Sequence, residues 1–367
     1  MADIRKIGRA VKIGKIRSAA SISKIRRAAK LGKAREIADM YLRIRKLSAI
    51  SGPNVDKPLL DRVMYSSETL PPLGKEYWWL LFFGRDGERP VQLMLLIFRK
   101  HGKRMLFNGR EMSFKKLGKK KFLAVTAGWI YDGKRMRDLG DTNAVVEISG
   151  KKIISEISGQ RIVLSGGFPD YRLKVGKTID LRVRKGDYLE DRDAYGILVP
   201  PFGMGWVDAF SEVEGTVLGK RFKGSAHLQK VFGVTIFGPF HWGRVVFEGN
   251  SAVSFFSVKT GRKGKNFCLY LNFYDKKRGE IISFKRPWLK VSKAGESWKV
   301  EGRDRDKEFR MVLEPYAEKE FTMKGGGYQE YVEYAVIAKE FNLKTKDRVI
   351  TLEDLGKGVG SFEDAYW

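Results

Sequence analysis

The sequence predicts a mainly β protein, two antiparallel β-barrels in tandem preceded by a basic helical arm. Three observations predict it. Beyond Glu76, short apolar runs recur between Gly-containing turns, at a spacing of about ten residues that marks antiparallel sheet closing into barrels. Before Ser51, apolar residues follow helical spacing instead. The first fifty residues also hold fifteen Lys or Arg against three acids, Asp3, Glu36 and Asp39.

The arm, residues 1–50, contains a duplicated unit. KIGRAVKIGKIR (Lys6 to Arg17) returns as KIRRAAKLGKAR (Lys24 to Arg35), eighteen positions later. At about 3.6 residues per turn that shift is about five whole turns, so both copies present one face. The cations are Arg5, Lys6, Arg9, Lys12, Lys15, Arg17, Lys24, Arg26, Arg27, Lys30, Lys33, Arg35, Arg43, Arg45 and Lys46. Gly8, Gly14 and Gly32 each weaken a helix by roughly 1 kcal/mol relative to Ala, so the first half alone is marginal. Ile37, Tyr41, Ile44 and Leu47 recur at helical spacing and form a stripe suited to docking on the body. Ser51-Gly52-Pro53 ends that pattern, and an irregular linker is expected over residues 51–72.

The body then changes language. WWLLFF, VQLMLLIF, FLAVTAGWIY, AVVEIS, RIVLS and IDLRV assign a first barrel to residues 73–201. Pro200-Pro201 with Gly203 and Gly205 suggests a joint. VFGVTIF, GRVVFEG, SAVSFFSV, FCLYLNFY and SWKVEG then assign a second barrel to residues 202–340. Residues 341–367 read as a C-terminal tail with acids at Glu353, Asp354, Glu363 and Asp364, free to pack on the body or on a partner.

Glu76-Tyr77-Trp78-Trp79, followed by an apolar strand and an Arg-Asp-Gly turn, resembles the lipocalin-like carotenoid hydratase family. The segment from Gly224 through His227 and Gln229 to Gly233 is similar to a second motif of that family, as are His241-Trp242-Gly243 and the turn after Phe247. The resemblance covers residues 70–340 and leaves out the arm. It implies two consecutive lipocalin-like barrels. Where the family's motif has an acid this chain has Gln229, so the resemblance does not extend proton-transfer chemistry to that position.

Catalytic motifs are sparse. The three histidines are His101, in a basic turn, and His227 and His241, which together with Gln229 and Trp242 form a candidate ligand pocket. No HxH or HExxH spacing assigns a metal, no phosphate-cradling loop assigns a nucleotide, and no cofactor is expected. Cys268 lies inside an apolar run and reads as a buried small hydrophobe. The body is therefore expected to be non-catalytic.

Charge is the stronger signal. The net charge is +28; the arm supplies +12, which leaves +16 for residues 51–367. Basic clusters fall at turns, with Lys103 and Arg104 in one, Lys119, Lys120 and Lys121 in the next, and others near Lys263 and Lys277. This balance points to a polyanion. The leading expectation is an RNA-binding, ribosome-associated factor of hibernation or stress type. Its arm docks on ribosomal RNA phosphates, and its body contacts ribosomal proteins or a second copy. The alternative is a lipocalin-like hydratase or carrier of an apolar isoprenoid, tethered to anionic membrane. No apolar run of about eighteen residues spans a bilayer, and a cytoplasmic location is expected. The high charged fraction, 31%, is typical of proteins from hot-growing organisms.

Overall fold

The run from Trp78 to Phe83 is apolar at six successive positions, where a strand with one wet face would alternate. In the computed structural model both of its faces are covered. Trp78, Leu80 and Phe82 point into a barrel, while Trp79, Leu81 and Phe83 face a second sheet. The structure describes residues 34–366 apart from 51, 68, 87–88, 200–201, 236–237, 260–265, 285–287 and 326–327. The arm cations from Arg5 to Lys33 lie outside the described residues.

In chain order the elements begin with α1 (Ala34–Ala49), β1 (Gly52–Pro53) and α2 (Lys57–Met64). Then come β2 (Gly74–Asp86), β3 (Arg89–Lys100), β4 (Arg104–Phe107), β5 (Arg110–Ser113), β6 (Lys121–Tyr131), β7 (Met136–Ile148) and β8 (Lys152–Ile157). Next are β9 (Gln160–Gly167), β10 (Asp170–Val175), β11 (Ile179–Lys185), β12 (Arg192–Val199), β13 (Phe202–Val217) and β14 (Lys220–Val234). The second sheet follows with β15 (Phe240–Phe247), β16 (Ala252–Lys259), β17 (Asn266–Asp275), β18 (Glu280–Ser283), β19 (Trp288–Ala294), β20 (Ser297–Asp304), β21 (Lys307–Lys324) and β22 (Tyr328–Lys344). The chain ends with β23 (Val349–Thr351), α3 (Leu352–Leu355) and β24 (Gly358–Tyr366).

Ten antiparallel strands close the first barrel, in the order β13-β11-β10-β9-β8-β7-β6-β3-β2-β14 and back to β13. The expected boundary at 201/202 is corrected here. β13 and β14, assigned from sequence to the second domain, are the strands that complete the first barrel, because β13 pairs with β11 and β14 with β2. The glycines around that expected joint serve another purpose. A Cβ on Gly196 would come within 2.4 Å of the Ile44 carbonyl oxygen, and one on Gly205 within 2.9 Å of Leu47. These bare positions let α1 lie close against β12 and β13, where it buries Met40, Ile44 and Leu47 in the barrel core. Part of the arm therefore belongs to the body. Arg43, Arg45 and Lys46 occupy the exposed side of α1.

The linker is also more ordered than expected. Pro58 in the first turn starts α2, which inserts Leu60 and Met64 into the same core. Beside it, at one end of the barrel, lies a buried ion cluster. Glu76 accepts from Lys230 Nζ at 2.5 Å and from Arg99. Lys230 Nζ lies 3.1 Å from the centre of the Trp78 ring, and the Arg99 guanidinium lies 4.0 Å from that of Phe122.

The second sheet runs β18-β17-β16-β15-β24-β22-β21-β20-β19, and no pairing among the described residues closes it. Its inner face carries a separate core around Phe255, Phe273, Val300 and Phe362. The expectation of a second closed barrel is thus met only by a curled sheet. The supposed C-terminal tail supplies β24, which inserts between β15 and β22 at the middle of the sheet. One excursion ties the two units together. The β4–β5 hairpin leaves the first barrel, and β4 pairs with β21. The outer faces of the two units meet in an apolar seam that includes Trp79, Trp129, Trp242, Phe321 and Tyr331.

Candidate functional site

The seam is largely apolar, and a polar strip within it is built by strand register. Asp193 on β12 stands directly opposite Asp208 on β13, which in turn stands opposite Gln229 on β14. Two carboxyls directly opposed on neighbouring strands repel, so this pairing destabilises the sheet unless a proton or a cation intervenes. His227 lies two residues before Gln229 and therefore on the same outward face. Its Nε2 is 2.8 Å from Asp208 Oδ1, and the Gln229 amide donates to the same oxygen at 2.8 Å. That contact places the imidazole proton on Nε2 and leaves Nδ1 as a bare acceptor, buried and without a partner.

The second sheet supplies the opposite wall. The Trp242 ring stacks on His227 at 5.6 Å and donates its indole N–H to the Tyr270 hydroxyl at 3.0 Å. Arg244 is 2% exposed; it donates to Glu190 at 2.5 Å and to Ser254 at 2.9 Å, and lies over Phe210 at 3.8 Å. Tyr195, Tyr270 and Tyr274 complete the lining. Between these groups is a space of about 10 Å³, room for roughly one water.

Burial governs the protonation of the strip. Asp193 is 1% exposed; burial, with Asp208 and Glu190 alongside, holds its carboxyl well above the usual range. The shift favours the protonated acid, and the Oδ1 of Asp193 has no partner. Burial also raises Glu190 although Arg244 opposes that shift. Burial lowers His227, outweighing the attraction of Asp208, so the imidazole is neutral near pH 7. Further along the seam Glu333 and Glu363 are again directly opposed, on β22 and β24. Burial moves Glu363 up to about 8 and Glu333 well above its ordinary value.

Three of the four pocket residues expected from sequence meet here: His227, Gln229 and Trp242. His241 does not. It neighbours Trp242 on β15, so the strand sends it to the opposite face, where it contacts Asp364 at 3.1 Å and stacks on Phe362. Asp193, Asp208, Glu190, Arg244 and the three tyrosines were missed. Their signal is a charged residue interrupting an apolar strand, as in WVDAF and HWGRVV. His101 is half-buried and bonded through Nδ1 to the Leu70 carbonyl at 2.8 Å. Cys268 is partly buried, and burial raises its thiol to about 12. Among the described residues no cluster of His, Cys, Asp or Glu is arranged to hold a metal ion, and no helix is long and apolar enough to cross a membrane. Lys103, Arg104, Lys119, Lys120 and Lys121 are all exposed, away from the strip. Arg104 and Lys121 pair with Glu111 and Glu147.

No protein-family profile matches the chain, and no curated protein matches it in sequence. Among solved structures it is similar to an ATTH-designated protein from Nitrosomonas europaea, with 11% identity, a TM-score of 0.44, and coverage of 79% of this chain and 92% of that one. It is also similar to CghA with Sch210972, with 11% identity, a TM-score of 0.49, and coverage of 87% and 95%. CghA alone gives 11% identity and a TM-score of 0.48 over 87% and 94%. At this identity and score the likenesses bear on no residue of the site.

Proposed function

We propose that the seam is an acid–base site that adds water across a carbon–carbon double bond of an apolar, isoprenoid-like substrate, or removes it. The observation that carries this reading is a buried Asp193 carboxyl, with one oxygen unpartnered, facing an Asp208–His227 pair across a water-sized space. Asp193 gives its proton to one alkene carbon, and the π pair becomes the new C–H bond. The cation at the other carbon faces the rings of Tyr195, Tyr270 and Trp242, which stabilise positive charge. Water attacks that carbon while His227 Nδ1 takes its proton, and Asp208 stabilises the resulting imidazolium. Return of that proton to Asp193 closes the cycle, with one water consumed. The space has room for about one water and is too small for a substrate, so admission of substrate requires Tyr195, Tyr270 and Trp242 to move apart.

The test is incubation of full-length protein with a panel of apolar polyenes in oxygen-18 water. The expected product carries one labelled hydroxyl, and Asp193→Asn abolishes it. A parent protein that labels none of the panel, with Asp193→Asn melting well below it, would leave the strip a purely structural network and overturn the reading.

The duplicated basic arm favours a second reading, an RNA-binding, ribosome-associated factor. Its support is the +12 charge of residues 1–50 and the repeat at eighteen residues. Co-sedimentation with ribosomal subunits at rising salt tests it. Deleting residues 1–33 should flatten the log–log salt dependence, by about 0.9 for every duplex phosphate that the arm neutralises.

A further inference from the structure

The first barrel carries a surface in which cations and apolar side chains are mixed. We infer that this surface docks the protein on an anionic lipid bilayer. Two of the basic turns noted in the sequence meet in space. The Phe114 amide bonds the Lys103 carbonyl, the Leu123 amide bonds the Lys115 carbonyl, and the Ile148 amide bonds the Lys120 carbonyl. Lys103 and Arg104 thereby join Lys115, Lys116, Lys119, Lys120 and Lys121, all of them exposed. Their acids are Glu111 and Glu147, paired with Arg104 and Lys121. No ion pair holds Lys115, Lys116, Lys119 or Lys120 among the described residues.

The apolar members decide which polyanion fits. Leu106, Leu117 and Val145 are 39%, 43% and 42% exposed. Leu106 shares the outer face of β4 with Arg104, two residues away, and Val145 pairs across the strands with Leu123 beside the Lys115 contact. Exposed leucines gain nothing from a phosphate backbone, and RNA faces use aromatic stacking and cations instead. A lipid interface takes both, with aliphatic side chains entering the acyl boundary and ammonium groups remaining at the headgroups. The surface would bring the proposed hydration site to the phase that dissolves its substrate. Docking itself is read without substrate, so failure of one reading is separable from failure of the other.

The experiment is co-sedimentation of full-length protein with vesicles of phosphatidylcholine, with and without phosphatidylserine, alongside a gel shift with ribosomal RNA. Two variants are compared with the parent after confirming equal melting temperatures. The first is Lys115→Glu/Lys116→Glu/Lys119→Glu/Lys120→Glu, and the second is Leu106→Ser/Leu117→Ser. Each lysine near an anionic surface contributes roughly fivefold in affinity, so the charge variant should bind phosphatidylserine vesicles about 100-fold more weakly or worse. The leucine variant should lose about tenfold on vesicles while its affinity for ribosomal RNA stays at the parent value. Unchanged vesicle binding by both variants overturns the proposal. So does a charge variant that loses only RNA affinity while the leucine variant binds vesicles like the parent.

Discussion

Two of the clusters that bury charge in this protein do it in opposite ways. At the end of the first barrel, Glu76 receives Lys230 and Arg99, aromatic rings cover both cations, and no buried atom of the three lacks a partner. In the seam, Arg244 donates to Glu190, Asp193 stands directly opposite Asp208, and buried atoms of Glu190, Asp193 and His227 have no partner. A satisfied cluster fixes geometry, and removing a member leaves an uncompensated charge. A cluster with unused donors and acceptors has capacity left for a molecule that is not part of the fold.

The comparison breaks most sharply at Asp193. Asp193→Asn should lower the hydration rate about 10²–10⁴-fold, the usual share of a general acid. Its melting temperature should stay level or rise, since an amide needs no proton to be neutral; a clear fall would place Asp193 with the structural cluster. Glu76→Gln should do the reverse. It strands Lys230 and Arg99 and should cost about 3–5 kcal/mol in urea unfolding. His227→Phe keeps the stack with Trp242 and removes the acceptor, so the rate should fall about 10–100-fold, with little change in stability.

The smallest effect is on pH dependence, and here the two kinds of burial oppose one another. Burial lowers Lys230 from 10.5 to about 7. Over that window the unfolded chain holds a proton that the folded chain has lost, so its contribution to stability is present above 10.5 and is lost as pH falls to about 7. Burial raises Glu363 from 4.5 to about 8. Its contribution is present below 4.5 and is lost as pH rises through that window. Urea midpoints measured between pH 5 and 9 should therefore flatten at the alkaline end in Lys230→Met and at the acid-to-neutral end in Glu363→Gln.

Much of the fold was legible because strands and helices announce their period. The stripe Ile37, Tyr41, Ile44 and Leu47 packs as spacing predicted, with Tyr41 only partly buried. The run WWLLFF calls for two covered faces, since six successive apolar residues in an antiparallel strand leave no wet side. In the site, strand alternation alone separates His241 from Trp242. What the sequence could not show is the register that sets Asp193 against Asp208 and Glu333 against Glu363. Those neighbours are brought together by hairpin geometry and strand pairing, with no local pattern to mark them. The boundary near Pro200 failed for a related reason. Gly203 and Gly205 look like a joint, whereas together with Gly196 they are the bare floor under a helix from far upstream.

The β4–β5 hairpin carries a consequence for how the molecule is made. Its outer partner strand, β21, begins at Lys307, about two hundred residues later in synthesis. As a nascent chain emerges, the first barrel can close once Val234 is out, but its hairpin waits with an unpaired edge until nearly the whole polypeptide has been translated. Arg104 on β4 and its ion-pair partner Glu111 on β5 are charged and exposed, the guard that keeps a waiting strand from pairing with a neighbour on the same messenger.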